Sequence, residues 1–155
     1  MADFRVVAIS TEMAESVRTN MRDPRYGFPA HAELASEAGP CRHCLRLIKA
    51  GAERQILFTA DRFAGVEGLP QPGPIYVHEE DCERFPENGG FPDEMRGAPR
   101  TLEAYARGRK LLAQEYVTDG KMEPVIERML SREDVDYIQV CSTQAGCYTF
   151  RIERI

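Results

Sequence analysis

The stretch Asp136-Tyr137-Ile138-Gln139-Val140-Cys141-Ser142-Thr143, then Gln144-Ala145-Gly146, then Cys147-Tyr148-Thr149-Phe150-Arg151-Ile152-Glu153-Arg154, decides the fold class. In its second half Tyr148, Phe150 and Ile152 alternate with Thr149, Arg151 and Glu153, the period of a strand with one face buried. Gln144-Ala145-Gly146 carries turn chemistry, so the segment predicts an antiparallel hairpin. Upstream, residues 101–117 have two readings. Leu102, Tyr105, Leu112 and Tyr116 come close to helical spacing. Gly108, between Arg107 and Arg109, instead suits a turn between two strands, and the hairpin is the reading taken. Gly73-Pro74 opens a short strand over 75–78. Residues 45–48 and 55–59 read as a further hairpin around Lys49-Ala50-Gly51-Ala52-Glu53, and residues 4–9 as a first strand.

Two segments read as helices. Ser10 and Thr11 are helix-capping residue types, and Met13, Val17 and Met21 follow at i, i+4 and i+8 before Asp23-Pro24 ends the pattern. Over 122–132, Val125, Ile126, Met129 and Leu130 form one stripe, with Pro124 near the start, where it is tolerated. Residues 23–40, 61–73 and 86–99 are rich in Gly and Pro and read as loop. Hairpins with few helices between them predict an α+β fold: a mainly antiparallel sheet built from hairpins, two helices packed on it, in a single domain over 1–155.

The composition bounds the function without naming it. At 155 residues, 43% hydrophobic and 29% charged, the chain is an ordinary globular sequence, long enough to bury about 70% of its unfolded surface. Its net charge of −5 argues against holding nucleic-acid backbone as its main task. The apolar run Val6 to Ile9 is too short for a signal-peptide core or a membrane span, and Arg-Ile-Glu-Arg-Ile at the end has no prenylation signal. The expected compartment is the cytoplasm, with no membrane or nucleic-acid partner. Phosphate-loop, dinucleotide-binding, nucleophile-elbow and His-Glu-x-x-His patterns are absent.

The chemical lead is a cluster of soft ligands. Five cysteines in a reducing compartment point away from a disulfide scaffold and toward metal binding, thiol chemistry or burial. Gly39-Pro40-Cys41-Arg42-His43-Cys44 and the later His78-Glu79-Glu80-Asp81-Cys82 offer two pairs of ligands, Cys-x-x-Cys and His-x-x-x-Cys. Structural zinc sites are assembled in this way, so Cys41, Cys44, His78 and Cys82 are the candidate ligands. Gly39-Pro40 suits the tight turn that brings two thiolates to one ion. His78 and Cys82 fall one turn apart if residues 79–85 are helical. A continuous strand from 41 to 48 would put Cys41 and Cys44 on opposite faces, so the metal reading requires a turn through residue 44. Zinc knuckles often carry glycine after the second cysteine, where this chain has Leu45.

Three other readings stand beside it. Cys41 or Cys44 could serve thiol catalysis with His43 or an arginine stabilising the thiolate, although redox Cys-x-x-Cys motifs sit at a helix start and here a loop precedes. The cysteines and histidines could simply be buried. Of 20 basic residues only Lys49, Lys110 and Lys121 are lysine. That bias follows either from codon composition or from a pocket for a small anionic molecule, with Arg42, Arg46 and Arg151 as its candidates. Cys141 and Cys147 flank the last turn and could face each other. Cys141 shares a strand face with Tyr137 and Gln139, and Cys147 one with Thr149 and Arg151. That polar face reads either as the wall of a small-ligand pocket or as the less buried side of a sheet.

Four segments resemble the bacterial domain of unknown function 1203 family: Gly27 to His31, Pro40-Cys41-Arg42-His43-Cys44-Leu45-Arg46, Gly73 to His78 followed by Cys82, and Gly146-Cys147-Tyr148. The resemblance, which extends over nearly the whole chain, implies a small single-domain bacterial protein. It brings no activity and no catalytic residue.

Overall fold

The computed structural model describes residues 3–155. In chain order the elements are β1 (Phe4–Val7), α1 (Thr11–Asn20), β2 (His31–Leu34), β3 (Gly39–Pro40), β4 (Leu47–Ile48), β5 (Arg54–Asp61), β6 (Pro72–His78), β7 (Arg100–Tyr105), β8 (Leu111–Val117), α2 (Glu123–Leu130), β9 (Tyr137–Ser142) and β10 (Tyr148–Arg154). A short 3-10 turn, Asp93–Gly97, precedes β7. The fold is α+β with antiparallel sheets.

The larger sheet has strand order β1-β10-β9-β7-β8. Its register aligns Val6 with Ile152, Ile152 with Ile138 and Ile138 with Ala104. The next buried row is Phe150, Val140 and Leu102. Cross-strand neighbours share a face, so these rows build one apolar surface. Ile126, Met129 and Leu130 of α2 pack on it, and Phe91 meets the Phe150 ring edge-on at 5.4 Å. The hairpin reading of 101–117 holds, with the turn at Gly108 in a left-handed conformation (φ 85°).

The opposite face of this sheet is polar yet buried. Gln139, Cys141 and Tyr137 are at most 2% exposed. The segment after β5 covers them: Arg62 Nε donates to Gln139 Oε1 at 2.6 Å, and its Nη2 donates to Glu103 and Cys141. Phe63 lies over Tyr105, which stacks on Tyr137. Being the less buried side is therefore not what makes the face polar. It is the seat of an arginine.

The smaller sheet has order β2-β5-β6 and packs against α1. Ser10 caps α1, its Oγ accepting the Met13 N–H at 3.1 Å, and Met21 ends the helix in a left-handed conformation, just before Asp23-Pro24. Val17, Ile56, Phe58, Ile75 and Val77 form its core together with Cys41 and Cys44. Here the pairing departs from expectation. β4 pairs with β3 rather than with 55–59, and β5 pairs with β2 and β6. β2 lies in a segment that its Gly and Pro content marked as loop. Its four residues alternate little in burial, so period-2 patterning gives no signal there. Residues 79–85 form no helix. Cys141 stands opposite Tyr148, not Cys147.

Candidate metal centre

The centre begins with a turn. β3 and β4 pair Gly39 with Ile48 and Pro40 with Leu47, and residues 41–46 close between them. The Cys41 N–H donates to Arg46 O at 2.9 Å and the Leu45 N–H to Cys41 O at 2.8 Å. The chain thus turns through residue 44, so both thiols point the same way. Leu45 takes the left-handed conformation (φ 56°) where zinc knuckles often have glycine. For a side chain bearing Cβ that conformation costs about 1–2 kcal/mol. Leu45 is held there because its side chain, 1% exposed, belongs to the core of the larger sheet. Cys41 and Cys44 belong to the core of the smaller one.

The second pair comes from the end of β6. His78 closes that strand, and its N–H donates to Cys41 Sγ at 3.3 Å. Cys82 arrives on the irregular segment that follows, with its Sγ 3.9 Å from Cys41 Sγ. His78 Nδ1 lies 3.4 Å from Cys44 Sγ. The four ligand atoms of Cys41, Cys44, His78 and Cys82 all lie within 4.8 Å of one another, so the cluster could hold a metal ion. A tetrahedral zinc with bonds of about 2.3 Å to sulfur and 2.0–2.1 Å to nitrogen has S···S edges of about 3.8 Å and S···N edges of about 3.6 Å. The 3.9 and 3.4 Å separations match those edges. The predicted quartet converges without the helix that the His-x-x-x-Cys spacing suggested.

A second layer surrounds these atoms. Arg18 of α1 donates through Nη2 to Cys82 Sγ at 3.1 Å and through Nε to His78 O at 3.0 Å. His43 Nδ1 lies 3.1 Å from Cys82 Sγ, and its Nε2 lies 2.9 Å from Thr11 Oγ1. With the proton on Nδ1, His43 donates to the sulfur and accepts from Thr11. His78 Nε2 stands 3.3 Å from Glu53 Oε1, at ion-pair distance but outside hydrogen-bond alignment. A carboxylate behind a histidine fixes the ring and raises its basicity toward a cation.

Without a metal the cluster shares its protons unevenly. Hydrogen bonds from Cys44 and then Cys82 hold Cys41 as a thiolate, far below the ordinary thiol range. Cys44, donating to Cys41, is pushed up. The same Cys41 sulfur, then Cys82, raises His78 to about 10. Burial lowers His43, which keeps its ring neutral. A negative sulfur beside a proton-holding imidazole is the charge pattern of a site that can exchange its protons for a metal ion.

The three arginines proposed for an anion do not converge. Arg42 is buried and donates to Tyr148 O at 2.9 Å and Pro40 O at 2.8 Å. Arg46 is largely exposed, 4.0 Å from Glu94. Arg151 pairs with Glu153 on the larger sheet and lies over the Tyr137 ring. His31 is exposed on β2, beside Glu33. Sequence reasoning missed Arg18, Glu53 and the outer role of His43. Arg18 lies 64 residues from the sulfur it touches, and His43, though it sits between Cys41 and Cys44, reaches Cys82, 39 residues on, so spacing carries no signal for these contacts.

These features define a class: a small α+β protein with a buried group of three cysteines and one histidine where two sheets meet. The chain belongs to the family described as protein of unknown function (DUF1203). The family match runs over residues 38–154 of the 155-residue chain and includes the whole cluster, while Gly27 to His31 and α1 lie outside it. No curated protein and no solved structure matches the chain. No helix among the described residues is long and apolar enough to cross a membrane.

Proposed function

We propose that Cys41, Cys44, His78 and Cys82 bind one zinc ion with a structural role, and that the chain works as a small binding module of the bacterial cytoplasm. The observation that carries the reading is the convergence of four soft ligand atoms within 4.8 Å, with edges suited to a zinc tetrahedron. Four protein ligands leave no open position, so the ion stabilises rather than catalyses. A reducing compartment keeps such thiols available. The centre opens onto a cleft of about 780 Å³, lined by Cys44, His78 and Cys82 and by Phe85, Pro92 and Glu94. That volume lies in the range of small-molecule sites.

The thiol-enzyme reading has less support: Cys41 is fully buried and Cys44 is 7% exposed, whereas a nucleophilic thiolate must be reachable. The anion reading needs arginines free of protein partners, and Arg42, Arg46 and Arg151 each have one. The test is elemental analysis of the untagged full chain. One zinc per chain, lost together with folded structure on chelation, supports the proposal. A metal-free folded protein overturns it.

A further inference from the structure

The four members of the cluster differ in how open they are. Cys41 is 0%, Cys44 7% and His78 8% exposed, whereas Cys82 is only half-buried. Cys82 lines the 780 Å³ cleft. It also stands on an irregular segment, while Cys41 and Cys44 are fixed in the hydrogen-bonded turn. Its sulfur accepts from Arg18 and His43 and lies 3.9 Å from Cys41 Sγ. One sulfur is therefore reachable, flanked by a guanidinium and next to a second sulfur fully shielded behind it.

We infer that Cys82 is the oxidation site of the metal centre, reacting with peroxide-class oxidants and closing a disulfide to Cys41 that expels the metal. The inference rests on the metal-binding reading. The step balances. The Cys82 thiolate attacks one peroxide oxygen, the O–O bond breaks, and hydroxide leaves with Cys82 as the sulfenic acid. The Cys41 thiolate then attacks the Cys82 sulfur, the S–S bond forms, and a second hydroxide leaves. Two thiolates supply two electrons, and hydrogen peroxide takes both. The Arg18 guanidinium, 3.1 Å from the Cys82 sulfur, sets a positive charge beside the reacting atoms. Cys44 and His78 alone then remain as ligands, too few for a structural site. A dithiol reductant reverses the step and restores the ligand set.

The experiment uses the untagged full chain. Its zinc is measured first, hydrogen peroxide is added, released zinc is followed with a chromogenic chelator, and disulfide-linked peptides are mapped without reduction. The expected result is one zinc released per chain, a peptide linking Cys41 to Cys82, and zinc re-uptake after reduction. Cys82→His, which leaves two cysteines and two histidines as ligands, is expected to keep its zinc under the same treatment. Absence of zinc before treatment overturns both readings. Zinc that is present and retained under peroxide, or a linkage that omits Cys82, overturns this inference alone. The peptide map on the unaltered chain decides the matter even where the variant does not fold.

Discussion

The five-stranded sheet with α2 and the three-stranded sheet with α1 are both antiparallel and both carry one helix, yet they are closed by different means. Among the described residues the first layer gathers 17 buried apolar side chains, including Phe150, Ile138 and Met129, none of them a cysteine. The second gathers nine, and two of those are Cys41 and Cys44. A small apolar core seldom stabilises a unit of this size without help, and bound metals are a common form of it. The difference teaches where to look for a ligand: in the layer whose burial is too thin to stand alone. The two layers are joined at the turn over 41–46. Arg42 N–H donates to Tyr76 O in β6, the Ile9 N–H donates to Arg42 O, and the Arg42 guanidinium reaches Tyr148 O in β10.

On the proposed zinc reading, the largest effect is expected from removing the ion. Structural zinc contributes apparent binding free energies of about 10 kcal/mol or more in small domains. Cys44→Ser should lose the zinc, and amide hydrogen exchange should show β2, β5 and β6 opening before β9 and β10. Equal opening of both layers would break the comparison. Next comes the first layer's own core. Phe150→Ala should cost about 3–5 kcal/mol in chemical denaturation, with zinc content unchanged. A loss of zinc there means the layers are not separable.

Arg42→Met removes a buried cation that bonds two carbonyls, interactions of about 1.5–3 kcal/mol each. The thermal transition should fall and broaden as the layers come apart, and a sharp single transition would count against the joint. At Leu45 the order of two variants sharpens the picture. Both lose a buried side chain, but the left-handed backbone favours glycine by about 1 kcal/mol. Leu45→Gly should therefore be the more stable of Leu45→Gly and Leu45→Ala, the reverse of the usual order in a core.

The smallest effect concerns Glu123, whose carboxyl is held below its usual range by the Arg96 guanidinium, with Nη1 2.6 Å from Oε1. A depressed carboxyl contributes stability above its unfolded pKa and loses it as pH falls through the folded value. The pair is partly exposed, so Glu123→Gln should cost under about 1 kcal/mol at pH 7. The gap between variant and parent melting temperatures should shrink in acid. A gap that widens in acid refutes the assignment.

The comparison also explains what the sequence could and could not announce. Phe150 and Ile152 alternate with Arg151 and Glu153 because one face of β10 meets a deep core, so the first layer is legible from period and turn chemistry, whereas Tyr148, across a register shift, lies opposite Cys141 on the other face. Gly108 resolves the 101–117 segment for the same reason. The second layer is held by bonds that leave little periodic trace. β2 reads as loop because Gly27, Pro29 and Gly39 surround it and its side chains alternate little. The four residues of the cluster are legible as spacing alone, since Cys-x-x-Cys and His-x-x-x-Cys are short-range patterns. Arg18 and Glu53 are not, because each reaches the centre across a tertiary contact: Arg18 is 64 residues from the sulfur it touches. That the polar face behind Cys141 is buried is not legible in the sequence, because nothing local indicates that Arg62 folds over it.

The pairing of β1 with β10, Phe4 against Arg154, has a consequence for how the protein is made. All four residues of the cluster have been synthesised once the ribosome passes Cys82, and the turn at 41–46 needs only local contacts. β1 pairs in its sheet with β10 alone, so it must wait for the 72 residues from Glu83 to Arg154. At typical elongation rates of about 5–20 residues per second that interval is roughly 4–14 s. A nascent chain thus spends seconds with β1 unpaired in its sheet, and this is the interval in which chaperone cover bears on yield.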